Sequence, residues 1–140
     1  MMYLAQPYTG TNSEMLERYR LGCLTTADLF RRGIPVYAPI VHWHEVARCY
    51  SLPTDEQSWR NQNLHMVEQA DSFSILALKG WRNSKGIWAE FIASQTVHEM
   101  KYNLLTITGD NKVLLIFTTA EIITDCFSMR DALNGQDNSQ

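Results

Sequence analysis

Apolar and polar positions along this chain fall into short runs with strand character and longer runs of helical spacing, taken alternately. Tyr3 to Gln6 reads as a short strand, broken by Pro7 and the turn-prone run from Tyr8 to Ser13. Leu16, Tyr19, Cys23, Leu24, Ala27 and Phe30 then recur at helical spacing. Ser13 is the expected cap of that helix, with Glu14 and Glu17 in its first turn, Arg31 and Arg32 at its end and Gly33 as the stop. Val36-Tyr37-Ala38, held between Pro35 and Pro39, predicts a second strand. Strand, helix and strand in that order require a right-handed crossover and a parallel sheet.

Further along, His42 to Tyr50 fits either a short helix or a structured loop, and Asp55 to Ala70 predicts a helix. Phe73 to Leu78 predicts a third strand, and Ser84 to Lys101 a helix. Leu104 to Ile107 predicts a fourth strand, followed by a tight turn over Gly109 to Lys112. Val113 to Phe117 then forms either a hairpin or a fifth strand. Thr119 is placed to cap a last helix over Ala120 to Leu133, and residues 134–140 read as a frayed tail. With no internal repeat or linker, the expectation is a single domain over residues 1–133. Its architecture would be a flavodoxin-like (Rossmann-like) α/β sandwich on a parallel sheet.

Composition narrows the function classes. A chain of 140 residues with 45% hydrophobic and 19% charged residues is ordinary for one globular domain. A net charge of -3 argues against a general nucleic-acid or anionic-membrane binder. Cys23, Cys49 and Cys126 are odd in number and without CxxC spacing, as reduced thiols would be. The opening residues are too short and uncharged for a signal peptide, and no apolar run reaches membrane-spanning length. The expected setting is the cytoplasm.

The candidate chemistry centres on Gly80 to Glu90. After an apolar strand, a small-residue loop leads into a helix with Ser84 as N-cap, Gly86 in the first turn and Glu90 one turn further on the same side. Ile87, Trp88, Phe91, Ile92 and Gln95 centre one face of that helix, and Glu90 lies away from it. Glu90 is then either a solvated helix glutamate or a nucleophile beside a glycine that lets a ligand approach, its ionisation made less costly by the helix N-terminus. His42-Trp43-His44-Glu45 invites a metal reading, since His42 and His44 would share a face on an extended segment. No third and fourth ligand follows at a recognisable spacing, so polar pocket lining is preferred and neither metal nor cofactor is expected. Trp81, at the strand end, is placed to stack on a base. Dinucleotide-binding, P-loop and serine-hydrolase motifs are absent from the sequence.

Taken in order, Tyr3-Leu4-Ala5-Gln6-Pro7-Tyr8, Pro39 to His44, Gln69-Ala70-Asp71 and Gly80-Trp81-x-x-Ser84-x-Gly86-x-x-x-Glu90 resemble a known superfamily. It is that of the nucleoside 2-deoxyribosyltransferases and nucleotide N-glycosidases, and a small bacterial and phage branch is the nearest part of it. The resemblance covers roughly the first hundred residues and leaves the last forty or so unmatched.

It implies a retaining mechanism. Glu90 would attack the anomeric carbon, expel the nucleobase and form a glycosyl ester that water, or a second base, then resolves. Tyr3 would lie beside Glu90 and orient it; apart from the resemblance, Tyr3 is an aromatic at the end of a buried strand. Transferases carry an acid six residues before the nucleophile, whereas nucleotide hydrolases carry serine there, as Ser84 does. The resemblance thus favours a 5′-monophosphate, with donors from Thr9, Gly10 and Thr11 and charge from Arg20, Arg82 or Lys85.

The chain departs from the pattern at Asn63, where relatives carry aspartate eight residues before the Asp71 position. An amide cannot exchange a proton near neutral pH, so His42, His44 or Asp71 would have to serve as acid, or the protein binds nucleotide without catalysis. Trp88 replaces a glycine of some relatives. Homodimers or larger assemblies, in which a neighbour completes the pocket, are also implied.

Overall fold

The computed structural model describes residues 1–127. The expected tail over residues 134–140 and the distal part of the expected last helix lie outside the described residues. The elements in chain order are β1 (Met2–Ala5), α1 (Asn12–Arg31), β2 (Val36–Tyr37), α2 (Pro39–Tyr50), α3 (Glu56–Glu68) and β3 (Ser72–Leu76). After a single 3-10 turn at Trp81–Asn83 come α4 (Lys85–Ser94), β4 (Lys101–Ile107), β5 (Val113–Thr118) and α5 (Ala120–Cys126). They build one five-stranded sheet in the order β2-β1-β3-β4-β5, the flavodoxin-like arrangement. β1 to β4 run parallel, and β5 returns antiparallel against β4.

Alternation along the strands makes two cores. Tyr3, Ala5, Phe73 and Ile75 face Val67 of α3, Ile87 and Phe91 of α4 and Ile123 of α5. Met2, Leu4 and Leu76 point the other way, onto Leu29 of α1 and beside Leu105 and Val113. A buried polar pair sits inside the sheet, where Asn103 Nδ2 donates to Ser74 Oγ at 3.1 Å.

Local rules shift two helix ends from expectation and decide two segments the sequence left open. Thr11, not Ser13, caps α1, because Thr11 and Glu14 close a reciprocal capping box. The ambiguous segment is a full helix, α2, started by Pro39 at its first position, where the missing N–H costs nothing. α4 stops at Ser94 rather than Lys101. There Ser94 and Thr96 hydroxyls donate back to the Phe91 and Ala93 carbonyls, and Glu99 turns the chain at φ 58°. β5 is a hairpin partner because the Thr108–Lys112 turn is far too short for a parallel crossover.

Candidate functional site

From β1 the chain first moves outward to β2 and then crosses to β3 on the other side, so β1 and β3 flank the topological switch point. Open α/β sheets bind ligands in the crevice beyond the carboxyl ends of such strands. The loops that follow β1 and β3 line a cavity of about 460 Å³ there, roofed by α2 and α3 and floored by the start of α4. That volume suits a small organic ligand.

Seven of the sequence-derived candidates border the cavity: Glu90, Asn63, Ser84, Lys85, Gly86, Thr9 and His44. Ser84 caps α4, its Oγ accepting from Ile87 N at 3.2 Å. A side chain at Gly86 would meet Glu56 Cγ at 3.0 Å, so the glycine lets α3 and α4 approach closely over the site. Thr9 Oγ1 donates to the Thr54 carbonyl at 3.3 Å. His44 is buried, stacked on Tyr19 at 4.1 Å, with Nδ1 2.7 Å from the Tyr8 hydroxyl. Burial holds its imidazole below the ordinary histidine range, a shift Glu45 partly opposes, so the ring is neutral at physiological pH.

Glu90 differs from the expected helix-surface glutamate. It is the sixth residue of α4, beyond the first turn where the helix dipole acts strongly. Part of its surface opens on the cavity, but Oε2 is sealed and has no hydrogen-bond partner. Burial drives its pKa from 4.5 to about 8; the Tyr3 hydroxyl opposes that rise and Glu56 adds to it. Burial of the carboxyl, rather than its place on the helix, is the largest influence on its charge.

Tyr3 is fully buried in β1, its ring stacked on Phe73 at 5.7 Å. Its hydroxyl leans on Glu90 as a donor, and burial followed by the nearby carboxylate pushes its own pKa well up. The contact is loose enough to leave both Tyr3 Oη and Glu90 Oε2 unsatisfied. Such bonds tighten when substrate closes over them. Asn63 Oδ1, in the wall of the same cavity, is a third buried acceptor without a partner.

The other candidates fall elsewhere. Asp71 is at the opposite end of β3, exposed and ion-paired with the Met1 amino group, which holds its pKa down. Trp81 is 7% exposed and packs edge-on against Phe127 at 5.5 Å, so it is core rather than a stacking platform. Helical geometry separates the two α2 histidines: His44 points inward, while His42 is exposed against Tyr37 and Trp43. Gly10 lies outside the lining, packed close to Glu14 and Arg18. Arg20 pairs with Glu17, and Arg82 lies over the Trp81 ring, both away from the cavity. Among the described residues, no cluster of three or more His, Cys, Asp or Glu is arranged to hold a metal. Nor is any described helix long and apolar enough to cross a membrane.

Sequence reasoning missed Arg18 and Glu56, while Trp43 and Trp59 are pocket wall, one of the two places the sequence offers its tryptophans. Arg18 lines the cavity and clamps the loop after β1 by donating to the Tyr8 and Thr9 carbonyls at 3.0 and 2.8 Å. Trp43 and Trp59, from different helices, pack at 5.3 Å as an apolar wall. No local motif marks these residues, since three separate helices bring them together.

Residues 1–103 match the model of a protein family described as Domain of unknown function (DUF1937), and the chain belongs to that family. No curated protein matches it.

Proposed function

We propose that this protein is a nucleotide N-glycosidase that hydrolyses the base–sugar bond of a (deoxy)nucleoside 5′-monophosphate through a glycosyl-Glu90 intermediate. One observation carries the reading: several buried polar atoms without partners, Asn63 Oδ1 and Glu90 Oε2 among them, belong to residues that line one cavity beyond the parallel strands, and the Tyr3 hydroxyl lies against Glu90. Buried polar groups are ordinarily satisfied, and acceptors left open beside one another mark a place where a polar ligand completes the bonding. The positions coincide with those the sequence resemblance assigns to nucleophile, orienter and sugar or base contact.

The chemistry follows from the groups present. Glu90, once ionised, attacks the anomeric carbon as the bond to the base breaks, with Tyr3 steadying the carboxylate. Water then opens the ester. Asn63 hydrogen-bonds the sugar or base. The Trp43–Trp59 wall stacks against the base, while Ser84, Lys85 and the free N–H groups starting α4 receive the phosphate, with Arg18 nearby. A cytoplasmic homo-oligomer whose neighbour completes the pocket is part of the proposal, and light scattering of the pure protein tests it.

The decisive experiment incubates the protein with ribo- and deoxyribonucleoside monophosphates, modified bases included, and follows free base by chromatography. Base release that vanishes in Glu90→Ala, with the fold retained, is the expected outcome. Turnover that persists in Glu90→Ala overturns the mechanism. A second reading, a nucleotide-binding module without catalysis, is favoured by Asn63 and by a Glu90 that is mostly protonated at neutral pH. Tight binding without base release would select it, and release only on adding an acceptor base would indicate a transferase.

A further inference from the structure

Most nucleobases leave a sugar poorly unless a proton reaches them as the bond breaks, and the usual proton carriers around this cavity are neutral or engaged. Position 63 is an amide. Both oxygens of Glu56 are taken by the Arg60 guanidinium, Nε to Oε1 and an Nη to Oε2, each at 2.7 Å. Asp55 caps α3, and the Ser58 hydroxyl and N–H that donate to it hold its carboxyl below the usual range. Burial keeps the His44 imidazole neutral, and the Tyr8 hydroxyl is bonded to that ring at 2.7 Å. Arg18 clamps the loop after β1, and Lys85 stands at the start of α4, where the phosphate is placed. With Glu90 as nucleophile, no described residue bordering the cavity is left to serve the departing base as an acid.

The same cavity sets an aromatic surface beside negative charge. Trp43 and Trp59 both border it, their ring centroids 5.3 Å apart. Their indole N–H groups are spent elsewhere, Trp43 Nε1 on the Tyr37 hydroxyl at 3.1 Å and Trp59 Nε1 on the Pro53 carbonyl at 2.7 Å. What the pair offers a ligand is therefore ring surface, whose quadrupole attracts a cation. The Asp55 carboxylate borders the cavity too, at the cap of the helix that carries Trp59. Glu90, once ionised, adds a second negative charge. Such a wall suits a flat cation and disfavours a base that leaves as an anion.

We propose that the substrate is a nucleoside 5′-monophosphate whose base already carries a positive charge, a purine alkylated at N7, and that this base departs without a proton from the protein. The inference rests on the glycosidase reading. In the first half, a Glu90 oxygen bonds to the anomeric carbon as the bond from that carbon to N9 breaks. The electron pair of the broken bond passes into the base, cancels its positive charge and releases it as a neutral molecule. In the second half, water bonds to the anomeric carbon and the electron pair of the ester bond returns to Glu90. The surplus proton of that water goes to solvent. No step draws a proton from a side chain, so the reaction waits only for Glu90 to ionise. Asn63 loses nothing in such a site, because its amide needs only to hydrogen-bond the ligand. A reaction that alkylates purine nucleotides must supply the substrate.

The test follows base release by wild type at pH about 8, corrected for the uncatalysed rate, on two matched pairs. One is 2′-deoxyguanosine 5′-monophosphate with its 7-methyl form, whose base is cationic. The other is 2′-deoxyuridine 5′-monophosphate with its 5-fluoro form, whose base leaves more readily as an anion. The 7-methyl nucleotide is expected to exceed both unmodified nucleotides by at least about 100-fold in kcat/KM. Binding is measured by calorimetry on Glu90→Gln, which cannot attack. There the 7-methyl form should bind about fivefold or more tightly than its unmodified partner, and adding Trp59→Leu or Trp43→Leu should erase that difference. A smaller rate ratio shows a working acid and overturns this inference while the glycosidase reading stands. A preference for the 5-fluoro form, or equal binding of the guanine pair, overturns it as well. Silence on all four nucleotides overturns the glycosidase reading, and this inference with it.

Discussion

The Tyr3 hydroxyl and the Glu90 carboxylate face each other from a buried strand and the second turn of a helix, and the phenol restrains a pKa that burial drives to about 8. Neither group is at rest energetically: each lacks a full hydrogen-bond complement, and each has its neutral form favoured by desolvation. A carboxyl held this way is mostly protonated at neutral pH and ionises as the medium turns alkaline, which the proposed glycosidase needs of its nucleophile.

Base release should therefore rise with pH through about 8, the value at which Glu90 ionises. A pH–kcat/KM profile of the wild type checks this. A plateau already reached at pH 6 would show that the carboxylate is ionised far below that value.

The same shift has a consequence for stability. Its folded pKa lies above the 4.5 of the free group, so the stabilisation associated with Glu90 is fully present below pH 4.5 and is lost as pH rises through about 8. Glu90→Gln removes this dependence. Its Tm should exceed that of the wild type by several degrees at pH 9 while the two nearly coincide at pH 5, a comparison made by thermal unfolding at both pH values.

Tyr3→Phe deletes the one group that opposes the rise at Glu90. The alkaline limb of the activity profile should move to higher pH, and the rate at pH 7 should fall about tenfold or more. Circular dichroism should show the fold intact, because the lost hydroxyl is a buried donor without a full partner.

Gly22→Ala would ordinarily gain about 1 kcal/mol in a helix interior. In α1 the added methyl lands 2.3 Å from Gln6 Oε1 and 3.0 Å from Val41 Cγ2. Overpacking should reverse the sign and destabilise by about 1–3 kcal/mol, measured by urea unfolding. Gln6 borders the cavity and donates to the Arg18 carbonyl at 2.8 Å, so nucleotide binding should weaken in parallel.

Asp71→Asn serves as the distal control. The side chain is exposed at the far end of β3 and touches only the chain terminus among the groups that set its charge strongly. Base release should stay within about twofold of wild type. A large loss would place Asp71 in the chemistry after all.

Much of the architecture was legible because it rests on local rules. The apolar runs read from Tyr3 to Gln6 and from Phe73 to Leu78 appear as strands over Met2–Ala5 and Ser72–Leu76, and the Gly33 stop and the Ser84 and Thr119 caps appear where they were expected. The Thr11–Glu14 capping box is equally visible in the sequence, since Thr11 has a glutamate three residues on and Ser13 has Leu16 there. The end of α4 was not legible from periodicity: apolar residues continue past Ser94, and hydroxyl-to-carbonyl bonds with a left-handed Glu99 end the helix.

At the site, sequence alone determined that Ser84, Gly86 and Glu90 belong to one helix and its cap and that Tyr3 lies in a buried strand. Spacing along a helix or strand fixes such neighbours. Tertiary structure decided the rest. It put Glu56 and Asn63 of α3 in the wall beside Glu90, sent His44 inward and His42 outward, and removed Asp71 and Trp81 from the cavity. It also buried the Glu90 carboxyl, which raises its pKa to about 8. A helix dipole is a local property, but desolvation depends on what every neighbouring element packs around the carboxylate, and no window of sequence contains that sum.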